Sequence, residues 1–265
     1  SSRNGRAGDE NSAGLAAAGS GPVLIFGTDF DANYIGVNLT GTGFVTVDTT
    51  ESGTAARFRN STWEGIKLQI ANSQRSLTFN RMEVSGNHKD GFYIGGTGTS
   101  ETISISNSVF SGNSVLYGAT GGLHVGGDSS ITVEVTATTF GQNNHDGVRV
   151  ANPQANVRLG NGPLCANPLD PRCEASRITF LANDLAWTAA TPDHGAADIH
   201  DVRPYRSGNP SIHVWNGVFD ITGQLGRSTQ YGRSMSSAPV EVLQLQGPNR
   251  FALRMADGRN GVYHH

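Results

Sequence analysis

Phe110-Ser-Gly-Asn113, followed downstream by Gly122-Leu-His-Val125, is one copy of a two-part motif that recurs along the chain. Its first part, an apolar residue with Asn three places later, also reads Phe30-Asp-Ala-Asn33, Val84-Ser-Gly-Asn87, Phe140-Gly-Gln-Asn143 and Phe180-Leu-Ala-Asn183. Phe58-Arg-Asn-Ser61 is a degenerate copy. From Phe30 to Phe180 the anchors are 28, 26, 26, 30 and 40 residues apart. The second part is Gly-apolar-variable-apolar: Gly36-Val-Asn-Leu39, Gly65-Ile-Lys-Leu68, Gly91-Phe-Tyr-Ile94 and Gly147-Val-Arg-Val150. A third apolar run closes each period, at Phe44–Val47, Leu77–Phe79, Ile103–Ile105, Ile131–Val135 and Asn156–Leu159. Three short alternating strands in such a period make one coil of a solenoid.

A lone coil cannot bury its apolar side chains. Stacked coils can, because parallel strands then pair from coil to coil around one continuous core. Gly at the head of each central strand predicts a corner at positive φ. Asn at a fixed place predicts a side-chain hydrogen-bond ladder between coils. A β-sandwich also uses short strands, but it needs no in-phase repeat. The predicted fold is therefore an all-β parallel β-helix of about seven coils.

Composition agrees. The 265 residues include 35 Gly but only 10 Pro, which excludes collagen. Charged residues are 15% and the net charge is −3, so the chain is not a basic nucleic-acid binder. No run of 18 apolar residues occurs, so no membrane-spanning helix is expected. Residues 1–22, rich in Ser, Gly, Ala and Asn, read as a flexible leader or linker, with Ala13–Ala18 as a short capping helix. The solenoid occupies 23–224. Residues 225–265 read as an irregular segment ending in a hairpin of Val240–Leu245 and Phe251–Met255 that covers the last coil.

The coils resemble the right-handed single-stranded parallel β-helix of the pectate-lyase-like superfamily. The Phe-x-x-Asn anchors with Gly121-Gly122-Leu123 are also similar to repeats of bacterial autotransporter passengers and polymorphic outer-membrane proteins. The resemblance spans about residues 24–222. It implies a right-handed winding, an extracellular or bacterial cell-surface setting, and adhesion as a surface module. The motifs themselves are turn chemistry rather than reaction chemistry.

Within each central strand the flanking apolar residues face inward, so the middle residue faces out. These middle residues are Asn38, Lys67, Tyr93, His124 and Arg149, one coil apart. At about 4.8 Å per strand they form a file roughly 19 Å long. Such a file suits an extended acidic glycan, with Lys67 and Arg149 on carboxylates and Tyr93 stacking. A host surface receptor, or self-association along the solenoid, is the other adhesive reading. Two insertions overhang this face and bring Tyr117 and Trp187, aromatic rings of the kind that stack on sugars.

Superfamily members that are polysaccharide lyases or uronate epimerases carry their sites on this strand face. That likeness implies His124 or Tyr93 as the proton-abstracting base, with Arg149 or Lys67 neutralising a uronate carboxylate. Two departures weigh against it. Calcium-dependent lyases cluster carboxylates on the face, and here only Asp198 lies near it. The epimerase pattern Tyr-Gly-x-Asp-Pro-His meets only Thr191-Pro192-Asp193-His194, in another order. No cofactor is expected, and calcium enters through the resemblance alone.

Cys165 and Cys173 stand eight apart in a Pro- and Gly-rich loop, and suit a disulfide that staples a protrusion in an oxidising setting. A structural stalk presenting that loop is a further alternative. Asp90 and Asp146 precede corner glycines and read as turn acceptors, with His88 and His145 exposed. Asp193, His194, Asp198, His200, Asp201 and His213 are metal-ligand types, but their spacing fits no zinc motif and no metal is assigned.

Overall fold

The structure is a computed structural model; it describes residues 12–71, 73, 74, 76–100, 102–116, 121–161, 171–181, 183, 198–201, 203, 212–215, 217–220, 243–246 and 250–252. Each coil contributes one strand to each of three parallel sheets. One coil runs Leu77–Asn80, Met82–Ser85 and Phe92–Gly96, and the next runs Ile103–Ser106, Val109–Ser111 and Gly121–Val125. We call the three the return sheet, the anchor sheet and the central sheet. From Pro22–Phe26 to Asn156–Leu159 the chain comes back to the return sheet five times. The solenoid thus has about five turns, not the seven expected. Past Leu159 the described residues supply separate strands such as Ile178–Leu181 and Ile212–Trp215.

The repeat becomes packing in a simple way. Anchor residues stack directly above one another: Phe30 on Phe58 with ring centroids 5.3 Å apart, Phe110 on Phe140 at 5.0 Å, and Phe140 on Phe180 at 5.5 Å. Inward aliphatic residues of all three sheets complete one continuous core, including Leu68, Ile94, Val125 and Val150. The Asn ladder forms as expected. Nδ2 of Asn87 donates to Oδ1 of Asn113 (2.9 Å), Asn113 to Asn143 (3.0 Å) and Asn143 to Asn183 (2.8 Å). Each Nδ2 also donates to a main-chain carbonyl, as Asn113 does to Val84 (3.1 Å). The ladder ends on a carboxylate, Asp198 Oδ1, 2.7 Å from Asn183 Nδ2. All four Asn side chains are fully buried, and a buried amide is tolerated because its hydrogen bonds are met.

The glycines heading the central strands have a different cause from the one expected. None of Gly36, Gly65, Gly91, Gly122 or Gly147 has positive φ. They are there because the coils approach too closely for a Cβ. One added at Gly36 would lie 2.3 Å from the Gly65 carbonyl oxygen, and one at Gly147 2.7 Å from that of Asp198. Left-handed residues sit elsewhere in the corners, including the one just ahead of these glycines, and at the ends of the central strands they are Gly41, Gly96 and Gly127. After the anchor strands come Ala32, Asn60, Gly86, Gly112 and Gln142; after the return strands come Gly27, Arg81, Asn107 and Ala137. Ala137 (φ 48°) carries the Cβ penalty of that region without a compensating side-chain hydrogen bond. Ala137→Gly is therefore expected to raise stability by about 0.5–1 kcal/mol, measured as a higher denaturant midpoint with an unchanged m-value.

Two terminal expectations are corrected. Ala13–Ala18, inside the segment read as a leader, is not a helix but a strand paired in parallel with Ile35–Thr40. Small side chains fit there because Gly14 sits against the carbonyl of Gly36, 2.8 Å from where its Cβ would be. The C-terminal runs do not make a hairpin. Leu243–Gln246 pairs in parallel with Ile212–Trp215, and Arg250–Ala252 with Gly217–Asp220, so they extend two different sheets. The register sets Leu243 opposite Ile212 and Leu245 opposite Val214 in one sheet, and Phe251 opposite Phe219 in the other.

Candidate functional site

The central sheet aligns the middle residues in register. Asn38 pairs with Lys67, Lys67 with Tyr93, Tyr93 with His124, and His124 with Arg149. Arg149 pairs in turn with His200, which makes a sixth member. The sequence places His200 near the file, but insertions within the 51-residue separation from Arg149 blur its register. The file is less open than strand alternation suggests. Lys67 and His200 are both 8% exposed, and Asn38, Tyr93, His124 and Arg149 are half-buried. Tyr93 packs against His124, and Arg149 approaches His200, from one coil to the next.

Beneath the file lie carboxylates. Asp90 is fully buried, and it does not cap its own turn. Its Oδ1 accepts from the Gly121 amide of the next coil (3.0 Å) and its Oδ2 lies 3.1 Å from His124 Nδ1. Asp146, also fully buried, repeats the arrangement, with Oδ1 3.2 Å and Oδ2 3.1 Å from His200 Nδ1. Arg149 Nη1 donates to Asp146 Oδ2 at 3.2 Å. It also lies 3.4 Å from His200 Nδ1. We read that second approach as contact only, since the ring's Nδ1 proton is directed to Asp146 and a guanidinium cannot accept it. A neutral imidazole held this way keeps its Nδ1 proton on the carboxylate and leaves the Nε2 lone pair for a ligand.

Position 121, directly above Asp90, is Gly; a Cβ there would lie 2.7 Å from the Asp146 carbonyl oxygen. The readable signal is thus a coil with Asp before its Gly, followed by a coil with a small residue three places before His. In the sequence, Gly121-Gly-Leu-His124 and Ala197-Asp-Ile-His200 both satisfy it. The link runs between coils, so reading Asp90-Gly91 and Asp146-Gly147 as local turns missed it.

Tyr93 lies across two glycines. A Cβ at Gly95 would sit 2.5 Å from its hydroxyl oxygen, and one at Gly126 2.9 Å from its ring. The ring meets His124 edge to face with centroids 5.2 Å apart. Burial, aided by the Asp90 charge, pushes the phenol above its ordinary pKa, so it stays a hydrogen-bond donor at neutral pH. At the neighbouring corner Lys89 Nζ pairs with buried Glu64 (2.9 Å) and lies 4.5 Å from the Trp63 ring centroid. Burial pushes the Glu64 carboxyl up, and the Lys89 charge opposes that shift. The ammonium of Lys89 is raised because the pairing with Glu64 outweighs its own burial. Trp63 also stacks on Tyr34 at 5.9 Å, so Tyr34 and Lys89 occupy this corner's aromatic surface between them.

Other expectations divide plainly. His145 is buried rather than exposed, and His88 is half-buried. Asp198 belongs to the Asn ladder. Tyr117, Trp187 and Cys165 lie outside the described residues, as does the Cys173 side chain, and so do Asp193 and His194. Among the described residues no group of three or more His, Cys, Asp or Glu side chains is placed to hold a metal ion. The class defined is a parallel β-solenoid with a half-buried polar file on one sheet, two of whose histidines are each oriented by a buried aspartate. No family model, no curated protein and no solved structure matches this chain.

Proposed function

We propose that this protein is an extracellular adhesion module whose central sheet binds an acidic glycan lengthwise. The observation that carries the reading is the register: six functional side chains, Asn38, Lys67, Tyr93, His124, Arg149 and His200, follow one another one coil apart. Lys67 and Arg149 meet carboxylates or sulfates, Tyr93 offers a ring and a hydroxyl, and Asn38 donates and accepts. The cysteines eight apart suit an extracellular setting. Lys67→Ala combined with Arg149→Ala should reduce retention on immobilised heparin or alginate by about tenfold at low salt. Retention equal to that of the parent protein removes this surface from consideration. Clumping of coated beads that ignores both changes points instead to self-association.

A second reading, a polysaccharide lyase or uronate epimerase, is favoured by one observation: His124 Nδ1 is fixed on Asp90 beside a protonated Tyr93. That geometry suits a base at Nε2 for a proton on the carbon bearing a uronate carboxylate. Lyase activity is expected to raise ultraviolet absorbance on alginate, pectate or a glycosaminoglycan, and His124→Ala to abolish the rise. Epimerase activity would show instead as solvent deuterium incorporated at that carbon. A chain that does neither is a binder only.

A further inference from the structure

We propose that the acidic-glycan face is proton-gated: protonation of His124 and His200 converts an electrically balanced file into a cationic one that grips polyanions. This rests on the glycan-binding reading above. The charges of the file and its underlay cancel while both imidazoles are neutral. Lys67, Lys89 and Arg149 supply three positive charges, and buried Glu64, Asp90 and Asp146 supply three negative ones. A polyanion approaching that surface meets paired charges and gains little from long-range attraction. Two added protons leave a net charge of about plus two within one face, so that four of the six positions in the file are cationic.

The placement makes these two histidines suited to the role. Both stand in the file itself, with side chains 16% and 10% exposed, so each ring keeps an edge toward solvent. No described residue hydrogen-bonds to either Nε2. Each Nδ1 is anchored on a carboxylate that a ligand cannot reach, so the proton arrives without the ring having to turn. The groups facing His124 are Asp90 and Tyr93 from the coil below and Arg149, itself paired with Asp146, from the coil above. Those facing His200 are Asp146 and Arg149 from below; the Asp198 carboxylate is turned into the core, where Asn183 donates to it. Arg149 therefore stands between the two rings, and a carboxylate lies under each.

The test measures binding of the whole chain to immobilised heparin and to polygalacturonate at pH 8 and pH 5, at one low ionic strength, with dextran as an uncharged control. Both polymers stay anionic across that range, so the protein supplies the change. Affinity for both is expected to rise about tenfold on acidification, and dextran to stay flat. In His124→Gln with His200→Gln the pH 5 to pH 8 ratio should fall to near one, although six other histidines remain. Asp90→Asn with Asp146→Asn should do something less obvious: bind polyanions more tightly than the parent at pH 8, because two buried negative charges are gone. Melting curves for all variants establish that they fold. Binding that requires Lys67 and Arg149 but shows no pH dependence overturns the gate and leaves the glycan face standing. A pH ratio that survives in the double His variant also overturns it. No polyanion binding at either pH overturns both readings.

Discussion

Asn113→Ala is expected to destabilise the solenoid by about 4 kcal/mol and to lower its thermal midpoint by roughly 8–16 °C. Asn113 sits fully buried mid-ladder and serves two neighbours at once. Its Oδ1 accepts from the Asn87 backbone N–H (3.3 Å) and from Asn87 Nδ2 (2.9 Å); its Nδ2 donates to Asn143 Oδ1 (3.0 Å) and to the Val84 carbonyl (3.1 Å). Truncation strips the coil below of an acceptor and the coil above of a donor, in a place sealed from water. Each orphaned buried group costs about 1–3 kcal/mol. Because coils are held mainly by their nearest neighbours, the loss should appear as an earlier melting phase rather than a uniform softening. Ser104→Ala, on the outer side of the return sheet two strands earlier in the same coil stack, should change stability by less than about 0.5 kcal/mol. A comparable loss at both positions would mean that the ladder contributes no more than any surface hydroxyl.

Much of this architecture is legible without coordinates, for a physical reason. In a solenoid the contacts that matter recur at the coil period, so Phe-x-x-Asn predicts both the ring stack and the amide ladder, and strand alternation predicts which residues share the file. Legibility ends where that period is broken or where a contact is diagonal. Insertions between Arg149 and Ile199 left only the neighbourhood of His200 legible, not its register in the file. Asp90 and His124 are 34 residues apart and Asp146 and His200 are 54 apart, so neither pair shows up as a local motif. The corner glycines mislead in another manner. Glycine is compatible with positive φ, with crowding, or with both, and a single chain does not distinguish them. Crowding proved to be the cause at Gly91 and its equivalents, while the left-handed corners took Asn60, Arg81 and Asn107. The half-burial of the file follows from side-chain length: Tyr, His and Arg spaced one strand apart must cover one another.

Gly91→Ala should cost about 2–4 kcal/mol and, unlike a purely structural lesion, should also loosen the site. An ideal Cβ at position 91 would lie 2.6 Å from the Gly122 carbonyl oxygen and 2.9 Å from Asn113 Nδ2. The first is main chain already in the sheet and the second is locked in the ladder, so neither can yield cheaply. The coils must part locally. Asp90 is the adjoining residue, and the Gly91 amide donates to Gly121 O at 3.0 Å while the Gly121 amide donates to Asp90. Any separation there pulls the Asp90 carboxylate from His124 Nδ1. Heparin retention should therefore fall with stability, and the pH 5 to pH 8 ratio should shrink. Gly53→Ala is the matched comparison. Gly53 has φ 83° but open space around its Cα, so Ala there carries only a torsional penalty of about 1 kcal/mol and leaves retention as it was. Should Gly91→Ala prove no worse than Gly53→Ala in denaturant, coil spacing at the central sheet is wider than these distances require, and the coupling of Asp90 to His124 loses its support.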